Sequence, residues 1–266
     1  YQNKQLDFLR RVPSKLIPQL RKRADFFHVP MARFDYIGFG ERLKKNRQLR
    51  EALVKSINYG ELKQILHSLG RPGCPSMPAA WFDQKPCYPY APEEARKILG
   101  ELARSERDQV FQLKVSQLGG NDIKKQAEFL QHQWQSKLGI KISITQVEQK
   151  TFLNELRRRP PDIFRKGVGL DIPTCLNGLE TFVTDNRRNF AQVSNQRYEA
   201  VTEKMSLEAD PIQYKKLCRE AIEILMEDFS VIPLGEMHFS IMASEHFEGW
   251  KINSMNQLDL SQLRPR

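Results

Sequence analysis

Cysteine and histidine are scarce in this 266-residue chain, at four and five residues. The cysteines, Cys74, Cys87, Cys175 and Cys218, are too few for a disulfide-built scaffold. Their spacings match no zinc pattern and the histidines are scattered, so no metal site is expected. Long apolar runs are also missing. The longest, such as FSVIPLG at 229–235, are strand-sized, far short of the ~20 residues that cross a bilayer as a helix. Repeats and low-complexity segments are absent. The start, YQNKQLDFLRRVP, has no initiator Met, no basic leader and no apolar leader core. It reads as cut from a longer chain, which leaves an upstream signal open.

Catalytic signatures are missing too. There is no G-x-S-x-G, H-E-x-x-H, phosphate-cradling G-x-x-x-x-G-K-[ST] or dinucleotide G-x-G-x-x-G. Glu93 and Glu94 sit where acids favour a helix start rather than as a catalytic pair. The chain is therefore read as a non-enzyme, with no catalytic residue and no cofactor. Hydrophobic residues at 40% and charged residues at 28% give a globular balance. The net charge of +10 raises anionic partners. However, the basic clusters RKR (21–23), RLKK (42–45) and RRR (157–159) are dispersed and lack interleaved aromatics, so they read as solvated helix faces rather than a nucleic-acid platform.

What is present is an alternation of strands and helices. ARFDYIGFGE (32–41), VFQLKVSQ (110–117), IKISITQV (140–147) and DIFRKGVGL (162–170) have strand patterns. NRQLREALVKSINYGELKQILHSLG (46–70) reads as two helices broken near Asn58–Gly60. Residues 71–92 hold six prolines and form an extended loop, after which Pro92 opens a helix. NDIKKQAEFLQHQWQSKLG (121–139) is an amphipathic helix stopped by Gly139. TFLNELRR, SNQRYEAVTEKMSLE and DPIQYKKLCREAIEILMEDF are further helices, and SVIPLGEMHFSIMAS holds two strands. This order predicts an α/β layer with a parallel component. Cys74 and Cys87 bracket the Pro-rich loop and are the candidate disulfide pair if the compartment is oxidising; otherwise they are buried thiols.

The ordered elements resemble the carboxyl-terminal half of the family 5 solute-binding proteins of oligopeptide, dipeptide and nickel ABC importers. Arg50, Ala52, Leu53 and Ile57 match a V-R-x-A-L-x-x-A-I-D-R pattern. Tyr88, Tyr90, Pro92, Ala95 and Leu99 match Y-x-Y-x-P-x-x-A-x-x-L-L. DIFRKGVGLDIPTC is similar to a D-x-x-x-x-G-W-x-x-D-x-x-D-P strand and loop, and NFAQVSNQRYEAVTEKM to N-Y-x-x-Y-x-N-x-x-x-D-x-L. The resemblance implies a periplasmic-binding-protein-like type II lobe, with a mixed sheet flanked by helices. Residues 43–233 would be the ligand-binding lobe. Segments 1–42 and 234–266 would belong to an incomplete first lobe, the rest of which the parent chain would supply.

The same resemblance assigns the candidate site. Asp171 would pair with a ligand's α-ammonium, and Gly167, Val168, Gly169 and Leu170 would run beside a peptide as a neighbouring strand. A bare enclosed carboxylate is costly, so a lone acid there suits a cationic ligand end; the bland alternative is that Asp171 caps the turn before Pro173. The implied partners are a peptide or small-molecule ligand and an ABC permease, and the location is periplasmic or that of a cell-surface lipoprotein. Two other readings use the same fold. One is the sensing domain of a cytoplasmic transcription regulator, which would reach nucleic acid only through another domain. The other is an interaction protein with a vestigial cleft. Departures from the family pattern, Val168 for Trp, Gly40 and Asn58 for Asn and Asp, and DIPTC for D-x-x-D-P, put the ligand class in question.

Overall fold

Residue alternation sorts the strands into two sheets in the computed structural model, which describes residues 1–67, 69–72, 88–118 and 120–266. The chain runs through β1 (Phe8–Leu9), α1 (Ile17–Leu20), β2 (Phe26–Pro30), β3 (Arg33–Phe39), α2 (Glu41–Lys44), α3 (Arg47–Lys55), α4 (Tyr59–Ile65) and β4 (Leu69–Pro72). It continues through α5 (Pro92–Glu101), α6 (Arg104–Arg107), β5 (Val110–Ser116), α7 (Gly120–Leu138), β6 (Lys141–Val147), α8 (Gln149–Arg158) and β7 (Ile163–Gly169). It ends with α9 (Cys175–Leu179), α10 (Gln196–Leu207), α11 (Pro211–Glu227), β8 (Val231–Pro233), β9 (Gly235–Ala243) and two short antiparallel ladders within 247–265.

The larger sheet has the order β6-β5-β7-β3-β8. β5 is parallel to β6 and β7, and β3 is antiparallel to β7 and β8. Both faces are covered, because its strands put apolar side chains on each side. Ile37, Phe39, Leu113 and Ile163 pack with α3, α4, α5 and α7, while Tyr36, Phe164, Val168 and Val231 pack with residues of α8 to α11. The second sheet is built on β9, which pairs with β1, β2 and β4.

β3 lies inside the larger sheet, paired on both edges, so that sheet begins at Arg33. The reason is the register: Tyr36, Ile37 and Gly38 pair with β8 while the whole strand pairs with β7. The chain crosses between the sheets at Met31–Ala32, and again at Leu234, between β8 and β9. At the second crossing Gly235 has φ +139°, a conformation that a Cβ would oppose.

Local chemistry ends the helices where the residues predict. Asn46 and Asn58 cap α3 and α4 by accepting from the N–H groups of Leu49 and Glu61. Asn58 thus does the capping work that an Asp would do. Gly139, at φ +69°, closes α7, with the Ile140 N–H donating to the Trp134 carbonyl. Trp134 is fully buried and its indole N–H donates to the Leu53 carbonyl at 3.0 Å, tying α7 to α3. The buried Arg50 side chain donates to four carbonyls, those of Leu43, Lys44, Asp228 and Phe229. It thereby joins the end of α2 to the turn between α11 and β8. Arg50→Met is expected to lower stability by about 3 kcal/mol, because two buried and two half-buried carbonyls lose their donor; urea denaturation of the two proteins measures it.

Candidate functional site

The site begins where two parallel strands part. β5 follows β6 along its whole length, yet meets β7 only at Leu113–Ile163 and Lys114–Phe164. Beyond Phe164, β7 stays with β3 and leaves β5. A crevice of about 190 Å³ opens at the carboxyl ends of the two strands, lined by Ser116, Gln149, Phe152, Arg165, Gly167 and Gly169 among others. Carboxyl ends of parallel strands are where open α/β sheets hold ligands. The crevice shares Arg33, Leu118, Ile123 and Arg165 with a cleft of about 440 Å³ that reaches His238 and Ser240 on the second sheet.

The ladder decides what β7 presents there. The Leu234 N–H donates to the Asp35 carbonyl at 3.2 Å, so the main-chain groups of Asp35 face β8. Asp35 and Gly167 are therefore a non-hydrogen-bonded pair of the β3–β7 ladder. By the same alternation the Leu170 N–H donates to the Ala32 carbonyl. The N–H and C=O groups of Gly167 and Gly169 thus point away from β3, toward the crevice.

Charge is concentrated on this strand pair. Asp35 is fully buried and accepts from Arg33 Nε at 2.6 Å and Arg165 Nη2 at 2.7 Å. Burial pushes the Arg165 guanidinium down, and Asp35 opposes that shift. A Cβ at Gly167 would collide with Asp35 Oδ1 and Arg33 Nη2, so this glycine is needed by the ion triad itself. Lys166 points to the other face. Its Nζ donates to the Gly167 carbonyl at 2.6 Å and lies 5.8 Å from the Phe190 ring centre. Burial, then Arg165 and Arg33, bring its pKa down to about 8.

Asp171 lies just beyond β7, with an exposed side chain that meets Arg188 at 3.2 Å. It does not cap its own turn. The amide groups of Asp171 and Ile172 donate to Asn177 Oδ1, so Asn177 holds the loop. Of the five expected site residues, Gly167 and Gly169 line the crevice, Val168 and Leu170 are buried, and Asp171 stands at the strand's exposed end. Sequence reasoning missed Arg33, Asp35, Arg165 and Lys166. The period-2 pattern of RFD and RKG could have flagged opposed charges, but only the register makes them neighbours.

The loop after Asp171 is tethered. Cys175, at the start of α9, forms a disulfide with Cys218 on α11, and the Leu176 N–H donates to the Tyr214 hydroxyl at 3.0 Å. The sequence did not pair these cysteines, because 43 residues separate them and only helix packing joins them. The pair expected at Cys74 and Cys87 lies outside the described residues. Asn189 staples the facing loop, donating to the Val183 and Val193 carbonyls and accepting from the Val193 N–H. Among the described residues no cluster of ligating side chains could hold a metal, and no helix is long and apolar enough to cross a membrane.

A mixed sheet covered on both faces, joined to a second sheet by two adjacent crossings, with a cleft at the strand ends, is the architecture of a type II periplasmic-binding-protein lobe. The sequence model of the bacterial extracellular solute-binding proteins, family 5, middle region, matches residues 1–190, and the chain belongs to that family. It is 23% identical over 239 residues to the oligopeptide-binding protein OppA of Bacillus subtilis, covering 85% of this chain and 44% of that protein. It is 20% identical to the dipeptide-binding protein DppE of the same organism, over 94% of this chain and 48% of the relative. The chain thus spans about half the length of these relatives. Among solved structures, the periplasmic oligopeptide-binding protein OppAIV of Borrelia burgdorferi superposes with a TM-score of 0.82 at 23% identity, covering 100% of this chain and 55% of that one. The relatives named are binding proteins, in keeping with the missing catalytic motifs.

Two outcomes follow from the site's chemistry. Cys175→Ser is expected to cost about 2–4 kcal/mol, seen as a lower urea midpoint. Lys166 has a folded-state pKa of about 8 against 10.5 when free. The folded state then binds fewer protons than the unfolded state between those values, so this residue's penalty is full below pH 8 and fades as pH rises. The stability gain of Lys166→Met over the parent, read from urea curves, should therefore shrink between pH 8 and pH 10.

Proposed function

We propose that the chain is the ligand-binding lobe, with part of the opposing lobe, of an extracytoplasmic receptor that delivers peptides to an ABC importer. The observation that carries this reading is the edge of β7 beyond Phe164, which no strand among the described residues pairs. Gly167 and Gly169 offer main-chain donors and acceptors to a crevice, and an extended peptide can pair with such an edge as an added strand. Main-chain pairing binds peptides without demanding particular side chains. The named relatives bind oligopeptides and dipeptides, which fits a site of this kind.

Residues 43–233 together with β3 form the ligand-binding lobe in this reading, and the β9 sheet is the part of the opposing lobe that the chain carries. Closure of two lobes about the paired crossings would enclose the peptide and present the closed form to a permease. The Cys175–Cys218 disulfide favours an oxidising compartment over the cytosol, and with it the receptor over a cytoplasmic regulator. Asp171 stands at the end of the edge, where a peptide's first residue would lie, and would exchange Arg188 for the ligand's ammonium.

Calorimetric titration of the full-length protein with short peptides tests the reading. Free-amine peptides should bind, and methylating a backbone nitrogen of the peptide should abolish binding at the positions that pair with β7. Asp171→Asn should weaken free-amine peptides about ten-fold, the size of one charge-assisted hydrogen bond, and leave N-acetylated peptides unchanged. Equal loss for both would take Asp171 out of the anchor role, and indifference to every N-methylation would remove strand addition.

A further inference from the structure

We propose that Lys166 is a specificity-determining residue of this cleft. On docking, its ammonium leaves the Gly167 carbonyl and pairs with a carboxylate side chain of the bound peptide, so that the site prefers acidic peptides. This rests on the peptide reading above and goes beyond it in naming the ligand's chemistry.

Lys166 and an incoming peptide compete for one atom. The Gly167 carbonyl faces the crevice and is one of the acceptors an added strand needs. Without a ligand it is held by Lys166 Nζ at 2.6 Å. An incoming peptide N–H must displace that ammonium. Once displaced, Lys166 remains half-buried beside the Phe190 ring, with no carboxylate within ion-pair reach among the described residues. A half-buried ammonium that loses its acceptor is costly until another anionic or polar partner replaces it.

Among the described residues, the surroundings do not supply that partner. Three cations, Arg33, Arg165 and Lys166, line the crevice, and no carboxylate does among the described residues. Asp35 lies behind them, fully buried and already shared by both guanidinium groups. Asp171 is taken by Arg188. Burial first, and the like charges of Arg165 and Arg33 after it, bring the Lys166 pKa down to about 8. Side chains of an added strand alternate between faces, so a ligand residue lies on the Lys166 side at every second position. A Glu or Asp there would relieve the repulsion and complete the ammonium's contacts. A neutral polar side chain such as Gln would complete the contact but leave the repulsion, and an apolar one would leave both unmet.

The test is calorimetric titration of the full-length protein with alanine tetrapeptides carrying one Glu at each position in turn, beside the same series carrying Gln. At one position Glu should bind about ten-fold or more tighter than Gln. The preference should vanish in Lys166→Met and persist in Lys166→Arg. Equal binding of the two series by the parent protein overturns the inference and leaves the peptide reading standing. A Glu preference that survives in Lys166→Met also overturns it, by assigning the preference elsewhere. Failure of every peptide to bind the parent overturns the peptide reading, and this inference with it.

Discussion

The buried carboxylate of Asp35, shared between Arg33 and Arg165, is the constraint on which the site depends. A charge at zero exposure is tolerated only when paired and hydrogen-bonded, and here two guanidinium groups do both. The arrangement imposes three things. It draws Arg165 across from β7 toward β3. It requires a glycine at 167, where a Cβ would meet the ion triad. It leaves a cationic wall along the side of β7 that β5 has abandoned. The edge is opened by the parting of β5 from β7, and the charge lining it comes from the pairing of β3 with β7.

The surroundings hold that edge still. The loop after β7 is gathered by Asn177, and α9 is bound to α11 through the disulfide and the Tyr214 hydroxyl. Asn189 closes the loop that brings Phe190 to Lys166. Arg50 anchors the turn from which β8 starts. These are polar fastenings of irregular backbone, where apolar packing alone leaves main-chain groups unsatisfied. A rigid frame around an unpaired edge lowers the ordering cost of adding a strand to it.

Membership of the family agrees with the fold, and the departures from its pattern now have physical meanings. Asn58 caps α4 as the family's acid would. Gly40 sits against the Pro160 and Pro161 carbonyls, where a Cβ has no room, so a close approach of backbones explains it. Val168 is buried among the residues packed beneath α9 to α11, so the missing Trp is a matter of packing on that face. The chain carries one sheet covered on both faces and a smaller one built on β9, and it spans about half of its curated relatives.

Period and punctuation in the sequence were enough for most elements. The alternation of VFQLKVS and KISITQV, the apolar stripe from Ile123 to Trp134, the stop at Gly139 and the start at Pro92 reappear as β5, β6, α7 and α5. These signals are local, set by side-chain spacing and backbone preference, so one segment suffices to read them. Gly167 and Gly169 could be named from family resemblance, though not the direction in which their main-chain groups point. That direction, the meeting of Arg33, Asp35 and Arg165, the placing of β3 inside the larger sheet and the bond between Cys175 and Cys218 were decided by tertiary structure alone. Each depends on strand register or on helices packing across many residues of chain, and slipping β3 or β7 by one residue would turn that strand's charged side chains to the other face.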